Sequence, residues 1–406
     1  MNLANATRTA GAAALLLAFG HGPQPARQGA GAAPELVLDP VALIGRVEGD
    51  PAYMFGDIRS VAVDDSGNVY VGDRIETSVR AYSADGTYIE RVAREGHGPG
   101  EITGWPSNLT FGPGGRLYTR DATRITVFAP SGRTGLADSV ATDWLVPGYG
   151  NLTSQRSRVG DDGAYYYPDG AYYVDRPSRF FYQVFRAGKR TADTLEVPHY
   201  DGAEARHTAF VRLGPRDGRM VQGLSHVPFA PIPTWDVTQR GTVLSTDGAS
   251  GRLLETDLHG DTVRVLTPDG VEPRRIQPGE RTDSLKALEA RIDSLPVTLD
   301  KVVNLGRNAA DRRLPELVPA IVSLRIATGG RIWVERWPAP GTGRTRSYDV
   351  YDATGAHLAS ITLRAPLVTD PPPFFGRNDV VGVTTDPETG SNFVTVFELP
   401  ELPSGN

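Results

Sequence analysis

The chain of 406 residues contains no cysteine. That excludes disulfides, thiolate metal sites, a cysteine nucleophile and cysteine lipidation. A basic excess is missing too: 42 Lys and Arg stand against 48 Asp and Glu, a net charge of −6. Nucleic-acid binding in general needs a positive surface that displaces counterions, so the composition argues against that class. No stretch is long and apolar enough to read as a membrane span. The G-x-S-x-G elbow, the P-loop and the dinucleotide fingerprint are all absent. Seven histidines are present, and none pairs at metal-ligand spacing. These absences leave no catalytic residue, metal or cofactor to assign.

What is abundant is turn chemistry, with 46 Gly and 32 Pro. The first 33 residues read as a leader. Residues 10–19 (AGAAALLLAF) have the length of a signal-peptide core, and the small residues at 30–33 (AGAA) offer a cleavage site. The expected product is an exported, monomeric protein without a membrane span.

Residues 61–73 (VAVDDSGNVYVGD) form a strand, a Gly turn and a strand, and residues 109–121 (LTFGPGGRLYTRD) repeat the pattern. The turn glycines Gly67 and Gly115 lie 48 residues apart, and another 48 reach Gly163. Gly241 and Gly330 continue the series after longer intervals of 78 and 89 residues. A second hairpin follows the first in most units, as at 79–92 with Asp85-Gly86 at its tip. Four short antiparallel strands cannot bury both faces alone, so neighbouring sheets must stack; radial stacking gives a β-propeller. With the two excesses removed, the remaining length is about six periods, within the known range of blade numbers. The extra residues before Gly330 hold a helix, with Leu285, Leu288, Ile292 and Leu295 on one face, Asp283 as N-cap and Pro296 as stop. The last unit lacks two strands, which residues 35–45 can supply, closing the ring. The expected fold is therefore an all-β, six-bladed propeller of four-stranded blades over residues 34–400. It carries a helical insertion at 281–318 between blades 4 and 5 and a tail at 401–406.

The hairpin units resemble NHL-type repeats. The segment Gly96-His-Gly-Pro-Gly-Glu-Ile102 resembles the G-x-G-P-G-E-F connector of bacterial exported six-bladed β-propeller proteins, with Ile102 in place of Phe. Residues 229–235 (FAPIPTW) resemble the segment before the fourth blade of those proteins. The resemblance spans roughly residues 35 to 399 and implies the fold. Many such proteins have no assigned activity, so it implies little about function.

The repeat aspartates Asp73, Asp121, Asp169 and Asp247 suggest either a ring of metal ligands or carboxylates that bond their own turns. Recurrence with the blade favours the turns. His97 in the glycine-rich connector reads as a spacer rather than a base. Long links at 199–235, 280–320 and 366–378 place aromatic residues and arginines on one rim. The candidate ligand-binding residues are Trp105, Trp235, Phe374, Phe375 and Arg377, taking a protein, peptide or carbohydrate. The opposing expectation is that these loops pack on one another and plug the channel. The expected function is that of a non-enzymatic binding protein. The alternative is a propeller enzyme, a lactonase-like hydrolase or a lyase, acting at the central channel.

Overall fold

The computed structural model describes residues 33–120, 124–130, 136–141, 156–171, 179–186, 193–198, 208–216, 219–226, 228–293, 315–337 and 345–403. Residues 1–32, nearly all of the expected leader at 1–33, and Asp121, Trp144, Tyr149, His199 and His207 lie outside the described residues. Six four-stranded antiparallel blades follow one another along the chain. Blade 1 runs Ile58–Val63, Val69–Asp73, Ser78–Tyr82 and Tyr88–Ala93, and its first three strands are almost wholly buried. Blade 2 begins at Ser107–Gly112, blade 3 at Arg158–Val159, blade 4 at Thr234–Val237 and blade 5 at Ser323–Ile326. These first strands of the blades line the centre.

The turns work as their sequences dictate. Gly67 adopts φ +84°, a conformation that costs glycine nothing. The Asp64 carboxylate accepts the Ser66 and Asn68 N–H groups at 2.9 Å and so holds that turn. Asp85, Asp257 and Asp352 do the same at other hairpin tips.

Blade 6 closes the ring, in a way that corrects the sequence expectation. Ala42–Ile44 pairs with Val394–Val396 as the blade's outer strand. Glu35–Leu38, by contrast, pairs in parallel with residues 360–363, as a fifth strand on the outside of blade 5. Only one strand was missing from blade 6, because Phe374–Phe375 supplies its innermost one against Val380 and Val381. A two-residue strand behind three prolines shows no alternation, which is why it reads as a loop. Leu402, in the expected tail, is buried with Leu399 and Phe397 in the core between blades 5 and 6.

Apolar clusters fill the gaps between neighbouring blades: blades 6, 1 and 2, blades 2 and 3, blades 3 and 4, and blades 4 and 5. Between blades 3 and 4, Thr208–Arg216 pairs with Arg219–His226 as a separate hairpin, where the sequence suggested an irregular link. Between blades 4 and 5, Arg274–Arg275 pairs with Leu317–Val318 at the foot of a helix, Pro278–Asp293. The helix begins before Asp283: Pro278 occupies the first turn, and the Glu280 carboxylate accepts the Gln277 N–H at 2.9 Å. Its Leu285 packs against a cluster of Phe229, Ala230 and Val318. Among the described residues, no helix is long and apolar enough to cross a membrane.

Candidate functional site

The innermost strand of each blade has one edge without a strand partner. Its carbonyls and N–H groups need partners if the centre is to exclude water. Two arginines at alternate positions of blade 3 meet much of that need. Arg156 donates from Nη1 and Nη2 to the Val61 carbonyl of blade 1, both at 2.9 Å. It also donates to the Pro372 carbonyl at 2.8 Å and, from Nε, to the Pro373 carbonyl at 3.1 Å. Two residues on, Arg158 reaches the other way. Its Nε donates to Asp236 of blade 4 at 3.0 Å, and its Nη2 bonds both Asp236 and the Ile326 carbonyl of blade 5. The pair thus ties blade 3 to blades 1, 6, 4 and 5.

The segment that Arg156 holds is a loop of blade 6. Val368 bonds Val383, and Phe374 pairs with Val381, so residues 369–373 bulge out of the strand. Pro371, Pro372 and Pro373 are buried. Proline suits a segment crossing an enclosed space, since it brings a carbonyl but no N–H to satisfy. The Arg156 guanidinium also lies 5.1 Å from the Phe374 ring centroid.

The centre is electropositive. Arg156, Arg158 and Arg325 are all enclosed; the Asp236 carboxylate acts on all three, and Glu335 acts on Arg325 as well. Burial, then the charges of Arg158 and Arg325, lowers Arg156 to about 9, so it remains protonated at neutral pH. Burial opposes the charge on Arg158 as well, but the Asp236 carboxylate overrides it and holds the pKa above the ordinary arginine value. Burial pushes the Tyr182 hydroxyl, close to these charges, well above its usual range. On one side of the arginines lies a cavity of about 70 Å³. All six blades line it, through residues such as Val63, Thr110, Arg158, Thr238, Thr328 and Phe374.

The five residues singled out from sequence do not form one surface. Trp235 is buried against Phe180 between blades 3 and 4, with ring centroids 4.6 Å apart. Phe374 is buried in the core of blades 6, 1 and 2. Phe375 is buried against Trp333 and Tyr348 of blade 5. All three sit on inner strands, where side chains face the neighbouring blade, so they are packing residues in this structure. Trp105 and Arg377 are exposed. Trp105 lies over Arg74, in the turn between the second and third strands of blade 1. Arg377 lies beside Gly329, in the turn between the first and second strands of blade 5. Those turns are at opposite ends of a four-stranded meander, which places the two residues on opposite faces.

Around Trp105 a small patch stands open. Trp105 is 55% exposed and Ile75 61%. Arg74 links them: it follows Asp73, bears the indole ring at 5.2 Å and pairs with Asp57, which also holds Arg59.

The other sequence candidates have structural roles. Asp73 is fully buried and accepts the N–H groups of Gly56, Asp57 and Ile75. Asp247 accepts the N–H groups of Ala249 and Ser250 in its own turn. Asp169 bonds Gln183. No group of carboxylates and histidines with metal-binding geometry occurs among the described residues. In the connector, Glu101 accepts the Gly98 N–H at 2.9 Å and Arg94 Nε at 3.0 Å, while Ile102 is fully buried. Gly96 adopts φ +154°, which side-chain-bearing residues rarely do, and a Cβ there would also displace the Glu101 carboxylate. His97 is exposed at the tip of this loop. Sequence reasoning missed Arg156 and Arg158. Their signal was two arginines at alternate positions leading into the first strand of blade 3, where the repeat calls for core residues.

No protein-family model matches the chain. No curated protein matches it either. Several solved structures are similar to it at low identity. One is a member of the DUF4221 family from Bacteroides vulgatus, at 10% identity and a TM-score of 0.40, over 92% of this chain and 98% of the other. A calcium-binding protein, regucalcin, from Agrobacterium tumefaciens matches at 11% identity and 0.38, over 91% and 98%. Virginiamycin B lyase from Staphylococcus aureus matches at 9% and 0.37, over 84% and 95%. These neighbours differ in function among themselves, and none of their functions is carried over to this chain.

Proposed function

We propose that this is an exported, non-enzymatic binding protein built on NHL-like repeats, and that it takes a protein or peptide partner on the face bearing Trp105. The supporting observation is the state of the channel. Arg156, Arg158 and the 369–373 loop occupy it, and the cavity that remains is about 70 Å³. Sites for drug-sized organic molecules start at about 300 Å³. Among the described residues, the cavity at the centre falls below that size. The exposed Trp105 and Ile75, flanked by Arg74 and Arg59, have the composition of an interaction hot spot. The pairing of aliphatic, aromatic and ionic groups suits a polypeptide better than a carbohydrate.

The test has two arms. The purified protein, with and without Ca²⁺, is incubated with a panel of lactones, esters and glycosides; turnover on any of them overturns the reading. In parallel, a partner captured from the cell envelope is identified and its Kd measured. Trp105→Ala should weaken that Kd at least roughly tenfold. A partner that binds the variant unchanged leaves the Trp105 face without a role.

A further inference from the structure

We propose that the central cavity is a binding site for a small carboxylate, held by Arg158. This proposal concerns the channel and stands independently of the Trp105 surface. Three observations carry it. First, the cavity lies where the six blades meet and opens on the side of the turns between first and second strands; Asp65, Gln239 and Thr328 from three of those turns line it. Second, Arg158 lines it with donors to spare. Its Nε and Nη2 bond Asp236 and the Ile326 carbonyl, while Nη1 makes no hydrogen bond. Nη1 is also not among the sealed polar atoms that lack a partner, and the side chain keeps 15% exposure, so the free donors face the cavity. Third, the charges behind it do not balance among the described residues. Arg156 and Arg158 are both enclosed and have Asp236 as the carboxylate acting on them, and Arg156 bonds only carbonyl oxygens. A bound anion completes both the hydrogen bonding and the charge.

The walls select which anion. Val63, Phe111, Val159, Val237, Ile326 and Phe374 are apolar, and the hydroxyls of Thr110, Thr238 and Thr328, the Gln239 amide and the Asp65 carboxylate are the further polar groups. One guanidinium edge in a wall of mixed apolar and neutral polar groups matches a monoanion with a short carbon chain. A phosphate dianion would need a second cation in contact. Asp65, exposed at the mouth, repels a highly charged anion further. The volume fits acetate or propionate, or the carboxylate tip of a longer molecule reaching in from outside.

The probe is sodium acetate, titrated into wild-type protein at constant ionic strength and followed by calorimetry and by saturation transfer from its methyl protons. One saturable site is expected, with propionate competing for it and phosphate and chloride at least tenfold weaker. Arg158→Gln should weaken acetate at least tenfold, while Arg364→Gln, on the outside of blade 5, should leave it unchanged. Removing Arg158 takes from Asp236 its guanidinium hydrogen bonds. Should that variant fail to fold, a crystal of the wild type grown with acetate decides: a carboxylate on Arg158 Nη1 supports the site, and water alone there overturns it. Absence of saturable acetate binding, or equal affinity for phosphate or chloride, also overturns it.

Discussion

Arg156 does for the centre of this molecule what a strand partner does elsewhere. Its planar fork of five donors is engaged by carbonyls of blade 1 and of the 369–373 loop. Arg156→Ala leaves three buried carbonyls without donors, at about 1–3 kcal/mol each in the worst case. We expect Arg156→Ala to lower unfolding stability by about 3 kcal/mol or more, read from the urea midpoint. Arg156→Lys should recover only part of it, since an ammonium cannot serve carbonyls on two sides at once. A second residue-scale effect sits at Asp379. Burial, then the nearby Asp64 carboxylate, raises its pKa to about 6, and its Oδ1 is buried without a hydrogen-bond partner. A carboxyl whose folded pKa is raised favours the folded state at low pH. That advantage is lost as pH climbs from about 4 through 6. Asp379→Asn should therefore match the wild type near pH 4 and exceed it by about 3 kcal/mol at pH 7, in paired denaturation curves.

At the scale of elements, the connector after blade 1 is a closed loop whose parts explain one another. Glu101 caps Gly98, glycine at 96 makes room for that carboxylate, and Ile102 then enters the core. The Gly98 N–H first, and Arg94 second, hold the Glu101 pKa below its usual value. Its stabilising effect is present at neutral pH and disappears as pH falls through that lowered pKa. Glu101→Gln should reduce the melting temperature at pH 7, with the difference shrinking steadily as the pH is lowered below the ordinary glutamate range. The N-terminal strands give a larger effect. Deleting residues 34–46 uncovers the edges of blades 5 and 6 together, and we expect a sharp loss of melting temperature or aggregation. Both features show where the sequence was legible. Period-two alternation around glycine turns revealed the hairpins and the blade count. Helical spacing revealed the insertion, although Pro278 and Glu280 set its start. What stayed hidden depends on the third dimension. Trp235, Phe374 and Phe375 look like rim aromatics because their segments are rich in proline. They are buried because an inner strand is sandwiched between blades. Arg156 and Arg158 gave no recognisable motif, since their partners are backbone atoms and an aspartate 78 and more residues away in the chain, as Arg158–Asp236 illustrates.

On the scale of the whole molecule, the two faces differ in what they offer. One carries the open patch of Trp105 and Ile75, the other the mouth of the small cavity and Arg377. A partner docked on the first should be sensitive to Trp105→Ala and indifferent to Asp85→Ala. Asp85 sits in the hairpin turn of blade 1 at the opposite end from Arg74, and its loss affects only that turn. The reverse sensitivity, measured as Kd for an identified partner, would move the interaction surface to the other face.

The way the ring closes also sets an order of events. Ala42–Ile44 leaves the ribosome about 350 residues before its partner, Asn392–Glu398. Chains are synthesised at about 5–20 residues per second, so this strand waits some tens of seconds without its partner. The first blades can assemble in that interval, but the ring cannot seal until Asn392–Glu398 arrives. Closure thus serves as a completeness check: a chain cut short before residue 392 keeps an open seam at both ends. It is also the slow, long-range step of folding, since it joins segments about 350 residues apart, as Leu43 and Thr395 are.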